Sequence, residues 1–165
     1  MNFSEENIIF VGVSEWKSEK SPSILRTTVG SCVAVVLYDK TKKIGGISHS
    51  LLDEPPPGKL VNRGKYAKTS VEELIKDLEK LGANKKNLTA KIFGGASMFQ
   101  NNSSSVFQNI GERNVIAAKE ILQKNQIPIL YEDILGHNGR TITLYLEDGR
   151  ILLRSGLQEK YIYKT

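Results

Sequence analysis

The sequence predicts an α+β fold: a layered, mixed and largely antiparallel β-sheet with two main helices packed outside it. Strand-like runs outnumber helical ones, and several successive runs are joined by turns too short for a parallel crossover. Only two stretches carry helical periodicity, and they do not alternate with strands as a doubly wound sheet requires. At 165 residues the chain can bury a core of its own, so a single domain spanning 1–165 is expected.

Taken in order, residues 7–13 (NIIFVGV) read as a first strand. Residues 24–29 and 32–38 are β-branched runs separated by Gly30 and Ser31, where a turn or bulge fits. A polar turn over 39–43 leads to a further strand near 44–51. Three successive prolines at 55–57 cannot continue a ladder and open a surface loop reaching about residue 68. The first helix is expected from Ser70, with Glu73 completing a capping box. Val71, Leu74, Ile75, Leu78 and Leu81 then share one face, and Gly82 supplies the stop. The second helix is expected over 111–124, with Val115, Ala118, Ile121 and Leu122 inward, after a polar loop over 100–105. Strands follow at 128–133, 140–146 and 150–154, the last two joined through Asp148 and Gly149 as a type I′ hairpin.

Composition narrows the function classes. One cysteine excludes an intrachain disulfide and fits a reducing compartment. The N-terminal residues lack the basic and apolar blocks of a signal peptide, and no apolar run is long enough for a bilayer, so a cytoplasmic protein is expected. The net charge of +5 is scattered along the chain rather than gathered in an arm or helix face. Without a nucleic-acid module, that charge reads as a solvated basic surface or a face for an acidic protein.

Few side chains here can do chemistry. There are two histidines, His49 and His137, and no Cys/His cluster with metal-ligand spacing, so neither metal nor organic cofactor is expected. The pairs Gly45-Gly46 and Gly94-Gly95 lack dinucleotide or phosphate-loop spacing. Cys32 follows Gly30 and Ser31 at the head of an apolar strand, where a free backbone N–H can form half of an oxyanion hole. Its thiol needs a base, and His49 shares a strand face with Ile47 and Leu51 by period-two alternation. By residue type alone, Cys32 and His49 each read more often as structural core residues than as a catalytic pair, and spacing does not rank His49 over His137. An activated Cys32 is expected to alkylate quickly at mildly acidic pH. The small residues of GGASMF (94–99) fit either a tight strand end or a cleft wall; on the second reading Ser31, Gly94, Gly95 and Ser97 line the substrate.

Six motifs then occur in order: GSCVAV (30–35), GISH (46–49) followed by Leu51 and Leu52, GKY (64–66), GGASMF (94–99), IGERN (110–114), and Asp133 with Gly136, Gly139 and Arg140. Together they resemble the chemoreceptor glutamine deamidase family, CheD, over nearly the whole chain. The resemblance implies a cysteine hydrolase with Cys32 as nucleophile and His49, rather than His137, as base. It implies action on glutamine side chains of chemoreceptor cytoplasmic domains, hydrolysis of glutamyl methyl esters by some members, and a CheC-type phosphatase as partner. It also implies a fold related to the catalytic domain of cytotoxic necrotizing factors. The family's third site residue is a threonine upstream of the cysteine, and the strictly corresponding position here is Arg26. Thr27 and Thr28 follow it; a one-residue shift flips the strand face, so Thr28 is expected if the Arg26 slot points at the site, with Thr27 the alternative. Leu135 stands where the family carries a glycine pair. A non-catalytic adaptor, binding receptors or the phosphatase, is the rival reading, motivated by Arg26.

Overall fold

A computed structural model describes residues 7–59, 61–97 and 105–165, with the backbone alone for 105–109. Two five-stranded sheets lie face to face. The first contains β1 (Ile8–Phe10), β3 (Ile24–Val29), β8 (Arg140–Tyr145), β9 (Ile151–Ser155) and β10 (Gln158–Ile162), in the order β1-β3-β8-β9-β10. The second contains β2 (Glu15–Lys20), β4 (Val33–Asp39), β5 (Ile44–Ser50), β6 (Leu88–Gly94) and β7 (Ile129–Ile134), in the order β2-β5-β4-β6-β7. Among the described residues, β1 with β3 and β6 with β7 are parallel, and every other pairing is antiparallel. Helices α1 (Ala67–Leu81) and α2 (Ser105–Lys124) cover the outer face of the second sheet. The α+β class and the two outer helices are as the sequence predicts; the strands divide into two sheets rather than one.

Central strand β4 explains the layering. It is buried along its whole length, and its period-two alternation sends Val33, Val35 and Leu37 to the helices and Ala34, Val36 and Tyr38 to the first sheet. A strand covered on both faces reads as an unbroken apolar run. On the helix side it meets Val71, Leu74 and Leu78 of α1 and Ala118, Ile121 and Leu122 of α2. Between the sheets it meets Leu25, Ile142, Leu144 and Ile151.

Several local expectations give way to the packing. The first run forms a strand only over Ile8–Phe10, and the chain then turns into β2, whose polar edge sequence carries no apolar alternation. Helix α1 begins one turn before Ser70, with Tyr66 at its N-cap and no side-chain cap. Ser70 is buried inside the helix against the Ser50 hydroxyl at 2.6 Å, and Glu73 pairs with Arg63 instead of closing a capping box. Gly82 ends α1 in the left-handed conformation as expected. Helix α2 starts earlier than residue 111, and the polar loop expected over 100–105 lies outside the described residues except for Ser105, which opens that helix. The β8–β9 connection is longer than a type I′ pair: the Gly149 N–H reaches the Tyr145 carbonyl, and only Gly149 of the two central residues has positive φ.

One contact positions the rest of the site. Gly111 of α2 lies against the Gly95 carbonyl so closely that any Cβ there would overlap it. The start of α2 is thereby seated directly on the end of β6. No helix among the described residues is long and apolar enough to cross a membrane. Gly111→Ala should force α2 outward and destabilise the fold by about 1–3 kcal/mol. The urea midpoint should fall with little change in slope, and an unmoved midpoint would contradict the close approach.

Candidate active site

The turn between β3 and β4 carries Cys32, and three consecutive carbonyls hold it. The Gly30 carbonyl accepts from the Ala96 N–H at 3.0 Å and that of Cys32 from the Gly95 N–H at 2.9 Å. The Ser31 carbonyl accepts from the Asn114 side chain at 3.0 Å. Gly94 is required because it has φ +110 and a Cβ there would overlap the Cys32 carbonyl oxygen. The turn is therefore pinned to the end of β6 and the first turns of α2. Cys32 is 9% exposed and turns its side chain into the space between the sheets, while its N–H has no backbone partner among the described residues.

Antiparallel pairing brings His49 alongside. Ala34 sits directly opposite His49 in the β4–β5 ladder, and Cys32 lies two residues before Ala34 on the same face. Such diagonal neighbours stand about 7–8 Å apart at Cα, within reach of an imidazole and a thiol. No hydrogen bond joins the two side chains in the free protein, a common feature of nucleophile–base pairs before substrate binds.

The His49 ring is oriented from the other sheet. Thr27 of β3 is buried and points inward, with its Oγ1 2.7 Å from the His49 Nδ1 and 2.7 Å from the Val11 carbonyl oxygen. A carbonyl can only accept, so the single hydroxyl proton of Thr27 goes to Val11. The hydroxyl oxygen must then accept from an Nδ1–H. That assigns the tautomer: Nε2 carries the lone pair, and it is buried with no partner among the described residues. Burial holds the imidazole below its ordinary value, opposed by the Val11 carbonyl and the Glu15 carboxylate. Burial also pushes the Cys32 thiol up, with its own backbone N–H working the other way. Both shifts favour the uncharged forms, the opposite direction from the early alkylation expected of an activated thiol.

The other expected residues fall into place around this pair or away from it. Thr28 is exposed on the outer face of the first sheet, 2.9 Å from the Thr141 hydroxyl, and Arg26 shares that face with its Nε on Thr143. The Arg26 slot therefore points away from His49, and alternation turns Thr27 rather than Thr28 toward it. Ser31 is half-buried beside Cys32. The N–H groups of Gly95 and Ser97 are committed to the carbonyls of Cys32 and Gly136, so they support the turn and the neighbouring loop. His137 is exposed and donates from Nδ1 to the Ser97 carbonyl at 3.0 Å. Leu135 adopts φ +65, followed by Gly136 at φ +72. Met98 and Phe99 lie outside the described residues.

Two residues were given no role by the sequence reading. Arg140 is buried and binds the Asp133 carboxylate at 3.1 Å and the Leu135 carbonyl at 2.8 Å, tying the 135–139 loop to the end of β7. Asn114 reaches both the Ser31 and Leu51 carbonyls. Both occur in the motifs quoted above, which were the only sign of them in the sequence. Among the described residues, no three His, Cys, Asp or Glu side chains gather to hold a metal ion.

Comparison with known proteins agrees with these motifs. The model of the family described as CheD chemotactic sensory transduction matches residues 51–155. The probable chemoreceptor glutamine deamidase CheD of Caldanaerobacter subterraneus subsp. tengcongensis is 48% identical over 163 residues, 96% of this chain and 99% of that one. The probable chemoreceptor glutamine deamidase CheD of Methanococcus maripaludis strain S2 is 46% identical, covering 87% of this chain and 92% of its own. The chemoreceptor glutamine deamidase CheD of Halalkalibacterium halodurans is 42% identical, covering 90% and 94%. A solved structure, the Bacillus licheniformis hypothetical protein YfiH, overlaps 71% of this chain and 49% of its own at a TM-score of 0.42 and 17% identity, too loosely to inform the site. With relatives this similar along nearly its whole length, the chain belongs to the CheD family.

Proposed function

We propose that this protein converts glutamine side chains of chemoreceptor cytoplasmic domains to glutamate, with Cys32 as nucleophile, His49 as base and Thr27 as the residue that orients the base. The observation that carries the reading is the assigned tautomer of His49, whose Nε2 has no partner among the described residues and whose ring lies between the sheets, the space into which Cys32 also turns. The names of the relatives supply the substrate class.

The chemistry follows from those protons. Nε2 takes the Cys32 proton as the sulfur attacks the substrate Cδ, and the imidazolium formed keeps its Nδ1–H on Thr27. The Cys32 N–H stabilises the tetrahedral oxyanion. The imidazolium then protonates the departing nitrogen, ammonia leaves, and a thioester remains. His49, neutral again, takes a proton from water as it attacks the thioester, and glutamate is released with the thiol restored. A glutamyl methyl ester enters the same cycle with methanol leaving. The protein acts where receptor cytoplasmic domains are found, and a CheC-type phosphatase is its regulatory partner. Arg26, the motive for a non-catalytic adaptor, lies on the outer face of the first sheet while Thr27 stands at the imidazole, which removes that motive.

Incubation with receptor cytoplasmic fragments should yield Gln-to-Glu conversion by mass spectrometry, abolished in Cys32→Ala. Identical peptide masses from the two proteins would refute the enzymatic reading. Thr27→Val should lower kcat/KM by about 10²-fold by releasing the ring, and Thr27→Ser should restore most of it. In pH profiles, kcat/KM should fall as pH drops through the His49 value, which lies below the ordinary 6.5 or so, because the protonated ring cannot take the thiol proton. Alkylation of Cys32 should have its midpoint above the ordinary thiol value of about 8.5.

A further inference from the structure

We infer that Asn114 is a positioning residue for catalysis: from helix α2 it fixes the peptide plane between Ser31 and Cys32, so that the Cys32 N–H faces the sulfur and the oxyanion. The inference rests on the deamidase reading and extends it to a residue outside the Cys32, His49 and Thr27 set.

The geometry is a matter of one planar group. The Ser31 C=O and Cys32 N–H belong to the same peptide unit, which is trans, so they point in opposite directions. Asn114 is 1% exposed and lies on α2, on the helix side of the second sheet. Its Nδ2 donates to the Ser31 carbonyl at 3.0 Å and to the Leu51 carbonyl at 3.0 Å. Because both partners are carbonyls, the amide orientation is fixed without ambiguity. Holding the carbonyl toward α2 turns the N–H toward the first sheet, where the Cys32 side chain stands and where that N–H favours the thiolate. A donor on the carbonyl also polarises the amide and strengthens its N–H as a donor.

The second bond couples the two halves of the site. Leu51 follows His49 by two residues, so one side chain joins the nucleophile's turn to the end of the base's strand. The Asn114 Oδ1 is buried and has no partner among the described residues. A residue kept only for packing would not leave a buried acceptor orphaned, whereas a residue kept for its two donors would.

The test separates this role from ordinary stabilisation. Asn114→Ala, the isosteric Asn114→Asp and the single-donor Asn114→Ser are compared with Asn125→Ala, which removes an Nδ2 bond to Ile121 at the far end of the same helix. Asn114→Ala and Asn114→Asp should lose about 10²-fold in kcat with KM little changed. The pH midpoint for Cys32 alkylation by iodoacetamide should rise. Asn114→Ser should recover part of both losses, and Asn125→Ala should leave kcat and the midpoint unchanged. The proposal fails if the folded Asn114 variants keep kcat within about threefold of wild type, or if the alkylation midpoint does not move. It also fails if Asn125→Ala, or loss of folding common to all three variants, accounts for the whole effect. Alkylation needs no substrate, so it reports on Asn114 even if Cys32→Ala leaves the receptor peptides unchanged and the deamidase reading itself falls.

Discussion

The hydrogen bond from His49 to Thr27 is the constraint around which the site is organised. It crosses from one sheet to the other, so its existence depends on how the two sheets are stacked and on the register of both β3 and β5. A slip of one residue in β3 would put Arg26 or Thr28 against the imidazole and expose Thr27, and the tautomer would be lost. The Val11 carbonyl completes the relay, and Val11 is itself placed by the short parallel pairing of β1 with β3. A strand of three residues, weak as a structural element, therefore has a chemical reason to be where it is.

The other half of the site depends on close approach. The Cys32 turn, the end of β6 and the first turns of α2 come together through Gly94, Gly95 and Gly111, where any side chain would separate backbones that hydrogen-bond across the gap. The consequence is a rigid turn. All three of its carbonyls are occupied by donors on neighbouring elements, which leaves the Cys32 N–H as the group turned toward the sulfur. A rigid, prepaid orientation of this kind is what electrostatic stabilisation of an oxyanion requires, because donors that must reorganise during reaction lose their advantage.

Much of this was legible in the sequence where burial is simple. The two-sided burial of β4 and the one-sided stripe of α1 showed as an apolar run and a helical period, and both elements formed within a turn or a residue of expectation. Edge strands β2 and β10 were not legible, because an edge exposed to water needs no apolar alternation. Strand β6 was missed because Lys91 interrupts its apolar pattern. Yet that lysine is buried, with its ammonium pulled down to about 8 by desolvation. The Cys32–His49 pairing was nominated by motif company, and the choice among Arg26, Thr27 and Thr28 required the sheet register. Periodicity says which residues share a face but not which face meets the other sheet. Asn114 had no local signal beyond being polar, since its partners are backbone carbonyls 63 and 83 residues away in sequence.

The distribution of unsatisfied groups ties these strands of reasoning together. Native proteins leave few buried polar atoms without partners, and each one costs on the order of 1–3 kcal/mol. Among the described residues these atoms are the Ser48 Oγ, His49 Nε2, Asn114 Oδ1 and Arg140 Nε. All four lie on residues within or beside the elements that frame the Cys32 turn: two on β5, one on α2, and one on the arginine that holds the 135–139 loop. Elsewhere among the described residues the buried side-chain nitrogen and oxygen atoms have partners, and the exceptions gather where the chemistry is proposed to occur. For His49 the exception has a direct meaning under the proposed mechanism. Among the described residues its buried lone pair has no donor, and the proposed chemistry has it accept the proton of the Cys32 thiol.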